Sequence, residues 1–412
     1  MLTEWVSYIL KRNLFKEVKK NLNSVDGFVT AGINAGLRKV KPDMALIYSE
    51  EECLAIGAFT KNIVKAAPVL YSMKNLKNPI RAVIINSANA NACTGEKGLE
   101  DVYFTANYVA QNLNISSKNV LVFSTGVIGE YLDMKKIRNG VERLSSIIKE
   151  GGNNLASKAI LTTDTREKEV TVEFKIFNKI VKISGIAKGS GMIAPDMATM
   201  LAFLVSDIVI DKKLLKKLFF KAVENSFNLI TVDGDMSTND SVLFLTNQKS
   251  GIKRITEKDK REVEIFYNAL LYVLKRLSEM IVRDGEGATK LIKIRVEGAK
   301  SEKDAKKIAF KIANSLLVKT AVYGADANWG RILASAGAAG VKFNPENVII
   351  KFGKFVLYNG EPVRFSEAKV RKYLEGKDIN IFLNLKMGKY SAEVLTSDLT
   401  EDYIKINSKY RT

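Results

Sequence analysis

The sequence contains no histidine. Imidazole is the usual general base near neutral pH and the commonest metal ligand, so its absence excludes Ser-His-Asp, Cys-His and His-Glu-x-x-His chemistry. Cysteine is nearly absent as well: Cys53 and Cys93 stand alone, and two thiols without histidine do not compose a tetrahedral zinc site. A disulfide between them could form, but nothing in the sequence supports one. Proline is scarce, 6 residues against 27 glycines, which argues against long disordered linkers. No apolar run reaches the roughly 18 residues that a membrane span needs. The longest, 197–210, is broken by Ser206 and Asp207. In residues 1–23, Trp5, Ile9, Leu10, Leu14 and Val18 fall at helical spacing beside basic side chains. Glu4 and Glu17 and the lack of a small-residue cleavage site favour a short surface helix over a targeting peptide, so the protein is expected in the cytoplasm.

What is present points to a folded globular chain. Its 412 residues are 46% hydrophobic and 26% charged, enough for two or three domains with a large core. The 64 basic and 45 acidic residues leave a formal charge of +19, carried by 49 lysines and 15 arginines. The lysines are spread along the chain and interleaved with glutamate, as in Glu167-Lys168-Glu169, the pattern of solvated helix and strand faces. No nucleic-acid partner is therefore expected, although such a field draws in anionic substrates.

Short apolar strands alternate with helices. Residues 45–49, 55–59, 81–86 and 120–124 read as strands, and 99–113 as a helix. Residues 170–177 and 180–186 alternate around Asn178-Lys179, a hairpin signal that makes part of the sheet antiparallel. A buried strand is expected at 200–205 and a helix at about 211–227. Two longer helices open with Thr256/Asp259 and Ser301/Asp304. The C-terminal part is β-rich, and residues 403–407 still alternate, which suggests a docked tail. The natural division, near residue 199, lies between a glycine-rich segment and a strand, an odd place for a domain boundary.

The densest unusual segment runs from Lys188 to Leu201. Gly189, Gly191 and Ala194 match the G-x-G-x-x-A pattern of a dinucleotide loop. Such a loop must enter a helix, whereas here Pro195 and Asp196 turn the chain towards a strand. A second reading starts from the missing imidazole. A threonine at the start of a chain can use its own α-amine, with a reference pKa of roughly 7.7–8.0, as the base that activates its hydroxyl. Thr199 is placed for this, because a flexible approach and a rigid strand just after it could bring its hydroxyl onto the Ala198 carbonyl. On composition alone, Thr199 reads as an ordinary strand residue.

The segment resembles the self-cleavage region of the ornithine acetyltransferase (glutamate N-acetyltransferase) family, in which Ala-Thr-Met-Leu holds the scissile bond. The resemblance extends from about Asp26 onward. It includes Ala88-Asn89-Ala90-Asn91-Ala92-Cys93-Thr94-Gly95, Ser124-Thr125-Gly126, Thr162-Thr163-Asp164-Thr165, Asn239-Asp240-Ser241, Asp284-Gly285-Glu286-Gly287 and the closing stretch from Asp398. It implies a layered α/β/α architecture with mixed sheets, of the N-terminal-threonine self-processing acyltransferase kind. It implies cleavage between Ala198 and Thr199 into an α chain of 1–198, with 1–23 as an extension, and a β chain of 199–412, assembled as an α2β2 heterotetramer. Thr199 would be the nucleophile, and Thr125 with Gly126 would stabilise the oxyanion. Thr162, Lys188, Thr199, Glu286, Asn407 and Thr412 would bind substrate. The activity implied moves acetyl from N2-acetylornithine to glutamate without a cofactor or metal, with acetyl-CoA as a further donor left open. Lys188 suits a substrate carboxylate and Glu286 the ornithine ammonium. The sequence departs from the family at Ala88, where glycine is frequent, at Ser397, where cysteine is common, and at Asp196, where asparagine is frequent. The rivals are a dinucleotide-dependent oxidoreductase, a nucleic-acid-binding protein, and an amidase or aminopeptidase using the same nucleophile with water as acceptor.

Overall fold

The computed structural model describes residues 14–194 and 200–409. Ala198, Thr199 and Thr412 therefore lie outside the described residues. Nine strands of the first three-fifths of the chain form one connected sheet: β1 (Phe15–Val18), β2 (Phe28–Ile33), β3 (Met44–Phe59), β4 (Ile80–Asn86), β5 (Val120–Ser124), β6 (Lys168–Ile176), β7 (Lys179–Lys188), β8 (Leu201–Ser206) and β9 (Ser241–Thr246). Their order is β1-β6-β7-β8-β9-β3-β4-β5, with β2 alongside β3. The β4–β5 and β8–β9 pairs are parallel and the others antiparallel, giving the mixed sheet expected.

The strands expected at 45–49 and 55–59 are one strand. β3 pairs with β2 and β4 over its first half and with β9 over its second, with a register break between Tyr48 and Cys53. This break lets the sheet fold over on itself. Alternate residues show the result, because successive side chains of a strand point to opposite faces. Leu201, Phe203, Val205, Leu243 and Leu245 meet Ala45, Ile47, Val83, Ile85, Leu121 and Phe123 in a core between the two halves of the sheet. Ala202, Leu204, Val242 and Phe244 face the helices Lys212–Glu224 and Lys260–Arg283. Leu46, Ala82, Ile84 and Val122 face the helices Gly95–Leu113 and Met134–Lys149. The layered α/β architecture thus has two sheet layers between its helix layers.

β10 (Leu291–Ala299), β11 (Ile349–Phe352), β12 (Phe355–Asn359), β13 (Asp378–Asn384) and β14 (Tyr390–Ser397) form a separate sheet in the order β12-β11-β13-β10-β14. It has its own core with the helix Glu302–Ala313, which opens on the expected cap: Ser301 Oγ accepts from the Asp304 N–H at 3.1 Å. The 256–259 signal works differently. Asp259 accepts from the Thr256 N–H at 2.9 Å in a turn before the helix, which begins at Lys260.

Three local expectations need correction. The surface helix proposed for 1–23 lies partly outside the described residues, and where the chain is described Phe15–Val18 is a strand paired with β6. Phe15 is buried at the sheet edge, and Val18, read as part of a helical stripe, belongs to the same strand. The hairpin turn is Phe177-Asn178, one residue earlier than read, with both at positive φ as a type I′ turn demands. The alternating tail 403–407 belongs to a helix, Glu401–Lys409, with Ile404 exposed. The tail is nonetheless docked, through Tyr403 to Asp233 and Asn407 to Glu286. No helix among the described residues is long and apolar enough to cross a membrane.

β7 precedes residue 199 and β8 and β9 follow it. Both later strands are flanked by earlier ones, β7 on one side and β3 on the other. A chain cut at 198/199 would therefore remain one sheet, because strand pairing on both edges holds the later segment inside the earlier one.

Candidate active site

The site lies where β5 and β7 end and β8 and β9 begin. Thr125, Gly126, Thr162, Lys188, Glu286 and Asn407 all line one pocket, with Ala90, Ile128, Gly191, Met192 and Asn239 completing its wall. These six residues span 282 positions of sequence, from Thr125 to Asn407, so only the fold unites them.

The turn after β5 is tightly built. Thr125 N–H donates to Asn86 O at 3.0 Å and Val127 N–H to Ala88 O at 3.1 Å, so residues 124–127 wrap against 86–90. Ala88 sits at φ 78°, a conformation that glycine adopts without strain. Gly126 has φ 135°, and a Cβ on it would lie 2.2 Å from the Ala88 carbonyl carbon. Only glycine fits. The Gly126 N–H has no acceptor among the described residues, while Lys188 Nζ donates to Thr125 Oγ1 at 3.4 Å. A hydroxyl polarised by an ammonium beside an uncommitted N–H is the arrangement that a tetrahedral oxyanion needs.

Lys188 closes β7 and is buried. Burial lowers its pKa, and the Asp164 carboxylate is the main charge opposing that shift. Asp164 was not singled out from the sequence, yet it organises the site. Its Oδ1 accepts from Lys168 Nζ at 2.7 Å and from Gly189 N–H at 2.7 Å, and its Oδ2 from Thr162 N–H at 3.0 Å. Burial alone would raise its pKa, but Lys188, Lys168 and the Gly189 N–H hold the carboxyl well below the usual range. Lys168, fully buried, also donates to Asp284 Oδ2 at 2.6 Å. Two buried cations thus face two buried carboxylates, and the positions of Thr162 and Lys188 follow from that network.

Glu286 is set by its neighbours. Its N–H donates to Ser190 O at 2.9 Å, and its Oε2 accepts from Asn407 Nδ2 at 2.8 Å. Gly191 passes so close that a Cβ there would lie 2.4 Å from Oε2. The glycines read as a dinucleotide loop therefore serve close packing. β7 is a hairpin strand, and the chain goes on to β8 rather than to a helix, so the oxidoreductase reading has no βαβ unit to stand on.

The segment around residue 199 is anchored on both flanks by the loop that precedes β9. Asp233 accepts from the Met192 and Ile193 N–H groups at 2.7 and 2.9 Å, and Asp240 Oδ1 accepts from the Met200 N–H at 2.9 Å. Asn239 ties the same loop to the turn after β5, donating to Ala90 O at 2.7 Å and Ser124 O at 2.8 Å.

The model of the ArgJ family matches residues 29–412. The chain belongs to the ArgJ family. It is 47% identical over 393 residues to the arginine biosynthesis bifunctional protein ArgJ of Caldanaerobacter subterraneus, covering 94% of this chain and 97% of that relative. It is 45% identical over 405 residues to the glutamate N-acetyltransferase of Methanocaldococcus jannaschii, covering 94% and 99%. A crystal structure of the Bacillus halodurans arginine biosynthesis bifunctional protein ArgJ is 40% identical with a TM-score of 0.49, covering 50% of this chain and 98% of the solved one. The resemblance first carried by the 188–201 segment therefore holds over nearly the whole ArgJ-family chain.

Asp164, Asp240 and Asp284 were not singled out from the sequence, and Lys168, read with Glu167 and Glu169 as part of a solvated face, is instead fully buried between Asp164 and Asp284. Asp164, Asp240 and Asp284 lay inside quoted motifs, but a role for a buried charge depends on its partner. Lys168 and Asp284 are 116 positions apart.

Proposed function

We propose that this chain cleaves itself between Ala198 and Thr199 and uses the new N-terminal Thr199 as the nucleophile of an acetyl transfer. Membership of the ArgJ family makes it an acetyltransferase of arginine biosynthesis. In the first step the Thr199 hydroxyl attacks the Ala198 carbonyl, the C–N bond breaks, and the hydroxyl proton passes to the departing nitrogen. Water then hydrolyses the ester, leaving a carboxylate at Ala198 and a free amine at Thr199. In turnover that amine takes the hydroxyl proton as Thr199 attacks the acetyl carbonyl of N2-acetylornithine, and it delivers the proton to the departing ornithine nitrogen. Thr125 and the Gly126 N–H stabilise the oxyanion. Glutamate takes the acetyl group from Thr199 in the second half-reaction.

The observation that carries this reading is the convergence of six of the proposed site residues on one pocket at the junction of β7 and β8. Thr162 and Asn407 line the substrate side, Lys188 meets a substrate carboxylate, and Glu286 meets the ornithine ammonium, with Thr412 assigned to the same group. No metal or cofactor is required, and acetyl-CoA as a second donor accords with the bifunctional relatives. The 1–198 and 199–412 segments stay paired, and two of each make the assembly. An amidase acting with water is not favoured, since the relatives matched along nearly the whole chain are proteins of arginine biosynthesis.

The test is transfer itself. With N2-acetylornithine alone, the 199–412 fragment should gain one acetyl group, and glutamate should discharge it faster than water does. Discharge by water at the same rate would replace the transferase reading with the amidase one. Glu286→Gln should lower kcat/KM for acetylornithine by about tenfold or more, as expected for loss of a buried charge-assisted contact.

A further inference from the structure

Asp240 immediately precedes β9 and is 1% exposed. Its Oδ1 accepts from the Met200 N–H at 2.9 Å, whereas its Oδ2 has no hydrogen-bond partner among the described residues. A fully buried carboxyl oxygen without a partner is rare in folded proteins and calls for an explanation. The loop around it is otherwise well tied: the Asp240 carbonyl accepts from the Thr60 N–H at 2.9 Å, and Ser241 N–H donates to Met200 O at 3.0 Å. The carboxyl is fixed rather than loosely placed.

Covalent geometry gives the orphan oxygen a candidate partner. The α-nitrogen of residue 199 is three bonds from the Met200 nitrogen, so the two are at most about 3.7 Å apart whatever the intervening torsion. Asp240 is hydrogen-bonded to that same Met200 nitrogen. In the intact chain the α-nitrogen is an amide with one hydrogen and a delocalised lone pair. Once the peptide bond opens it becomes an amine that carries additional hydrogens and needs an acceptor in a buried site.

We propose that Asp240 Oδ2 is the acceptor for the Thr199 α-amine that self-cleavage creates. The proposal rests on the cleavage reading above and adds the residue that holds and tunes the new base. In the uncut chain burial raises the pKa of the Asp240 carboxyl well above its ordinary value, which favours the protonated form, while the Met200 N–H, Lys188 and the Ser237 N–H pull the other way. After cleavage the carboxyl gives up its proton to solvent and the carboxylate accepts a hydrogen bond from the neutral amine; when the amine takes the Thr199 hydroxyl proton, the resulting ammonium pairs with that carboxylate until the proton is delivered to the departing nitrogen. Lys188 is the other charge that faces this pair, and Lys188 itself feels Asp164, Lys168 and Glu286.

Two readouts test it. The first is infrared difference spectroscopy on aspartate-¹³C-labelled protein, comparing the uncut Thr199→Ala chain with the cut wild type. A protonated-carboxyl band should be present in the uncut chain and lost in the cut enzyme. The second is the pH profile of kcat/KM for Asp240→Asn. A neighbouring carboxylate stabilises the ammonium, so its removal should lower the amine's pKa and move the acid limb about one pH unit down, a shift that a merely structural role would not produce. If Asp240→Asn does not fold or cut, the infrared comparison, which needs no change at residue 240, decides alone. A band that survives cutting, or an acid limb left in place in a cut variant, overturns the proposal. A wild-type chain that stays uncut overturns both this proposal and the cleavage reading, and intact mass tells that case apart.

Discussion

Asp164→Asn is the substitution that most directly probes the buried charge network. The carboxylate accepts from Lys168, Gly189 and Thr162 at 2.7–3.0 Å. An amide keeps one acceptor oxygen, so the network loses a charge and at least one acceptor, while two buried ammonium groups remain. Removing one partner of a buried pair typically costs about 3–5 kcal/mol. Lys168 keeps Asp284 at 2.6 Å, which puts the expectation at the lower end, about 3 kcal/mol. The measurement is urea denaturation of the variant and the parent at neutral pH. The sign of the pH dependence follows from the same charges. The folded-state pKa of Asp164 lies below its unfolded value, so its stabilisation is present above roughly pH 4 and is lost as pH falls further. The variant's acid sensitivity should therefore be shallower. Lys188 would lose the charge that most opposes the lowering of its pKa, so kcat/KM should also fall, by about tenfold. A loss under 1 kcal/mol with unchanged kinetics would refute the claim that this network positions the site.

Other substitutions test separate parts. Gly126→Ala would place a Cβ 2.2 Å from the Ala88 carbonyl carbon and 2.4 Å from the Asn89 nitrogen, both backbone atoms. Steady-state kinetics should show kcat down by about 10²–10³ with KM changed less, as for loss of an oxyanion donor. Glu169 on β6 has its pKa raised to about 7, first by burial and then by Glu167. Its proton is held more tightly in the folded state, so its contribution to stability is greatest below about pH 4.5 and declines as pH rises to about 7. With solvent screening at this partly exposed position, Glu169→Gln should gain about 1 kcal/mol above pH 7 and nothing below pH 4, read as Tm against pH.

Much of this was legible from the sequence because the signals were local. Ser301 and Asp304 cap a helix three residues apart, and β6 and β7 meet across a two-residue turn. The apolar run at 200–205 placed β8 correctly but could not say which layers its two faces are buried between, because that depends on β3 changing partners partway along, and β9 was not read from the sequence. The tail misled for a related reason. Ile404 and Ile406, with Lys405 between them, satisfy period two over a few residues, but such a short run does not distinguish a strand from one face of a helix. The six pocket residues came from motifs, whereas Asp164, Lys168 and Asp240 owe their roles to partners distant in sequence.

The central claim is that Thr199 gains its own α-amine by cleavage. Intact mass under denaturing conditions, with N-terminal sequencing, measures this on freshly purified wild type beside Thr199→Ala. Two fragments, one beginning at Thr199, that separate only on denaturation are expected from the wild type, because β8 and β9 sit between β7 and β3. The variant should remain one chain of 45.7 kDa. A wild-type protein that stays at that mass while transferring acetyl would contradict the N-terminal-threonine mechanism.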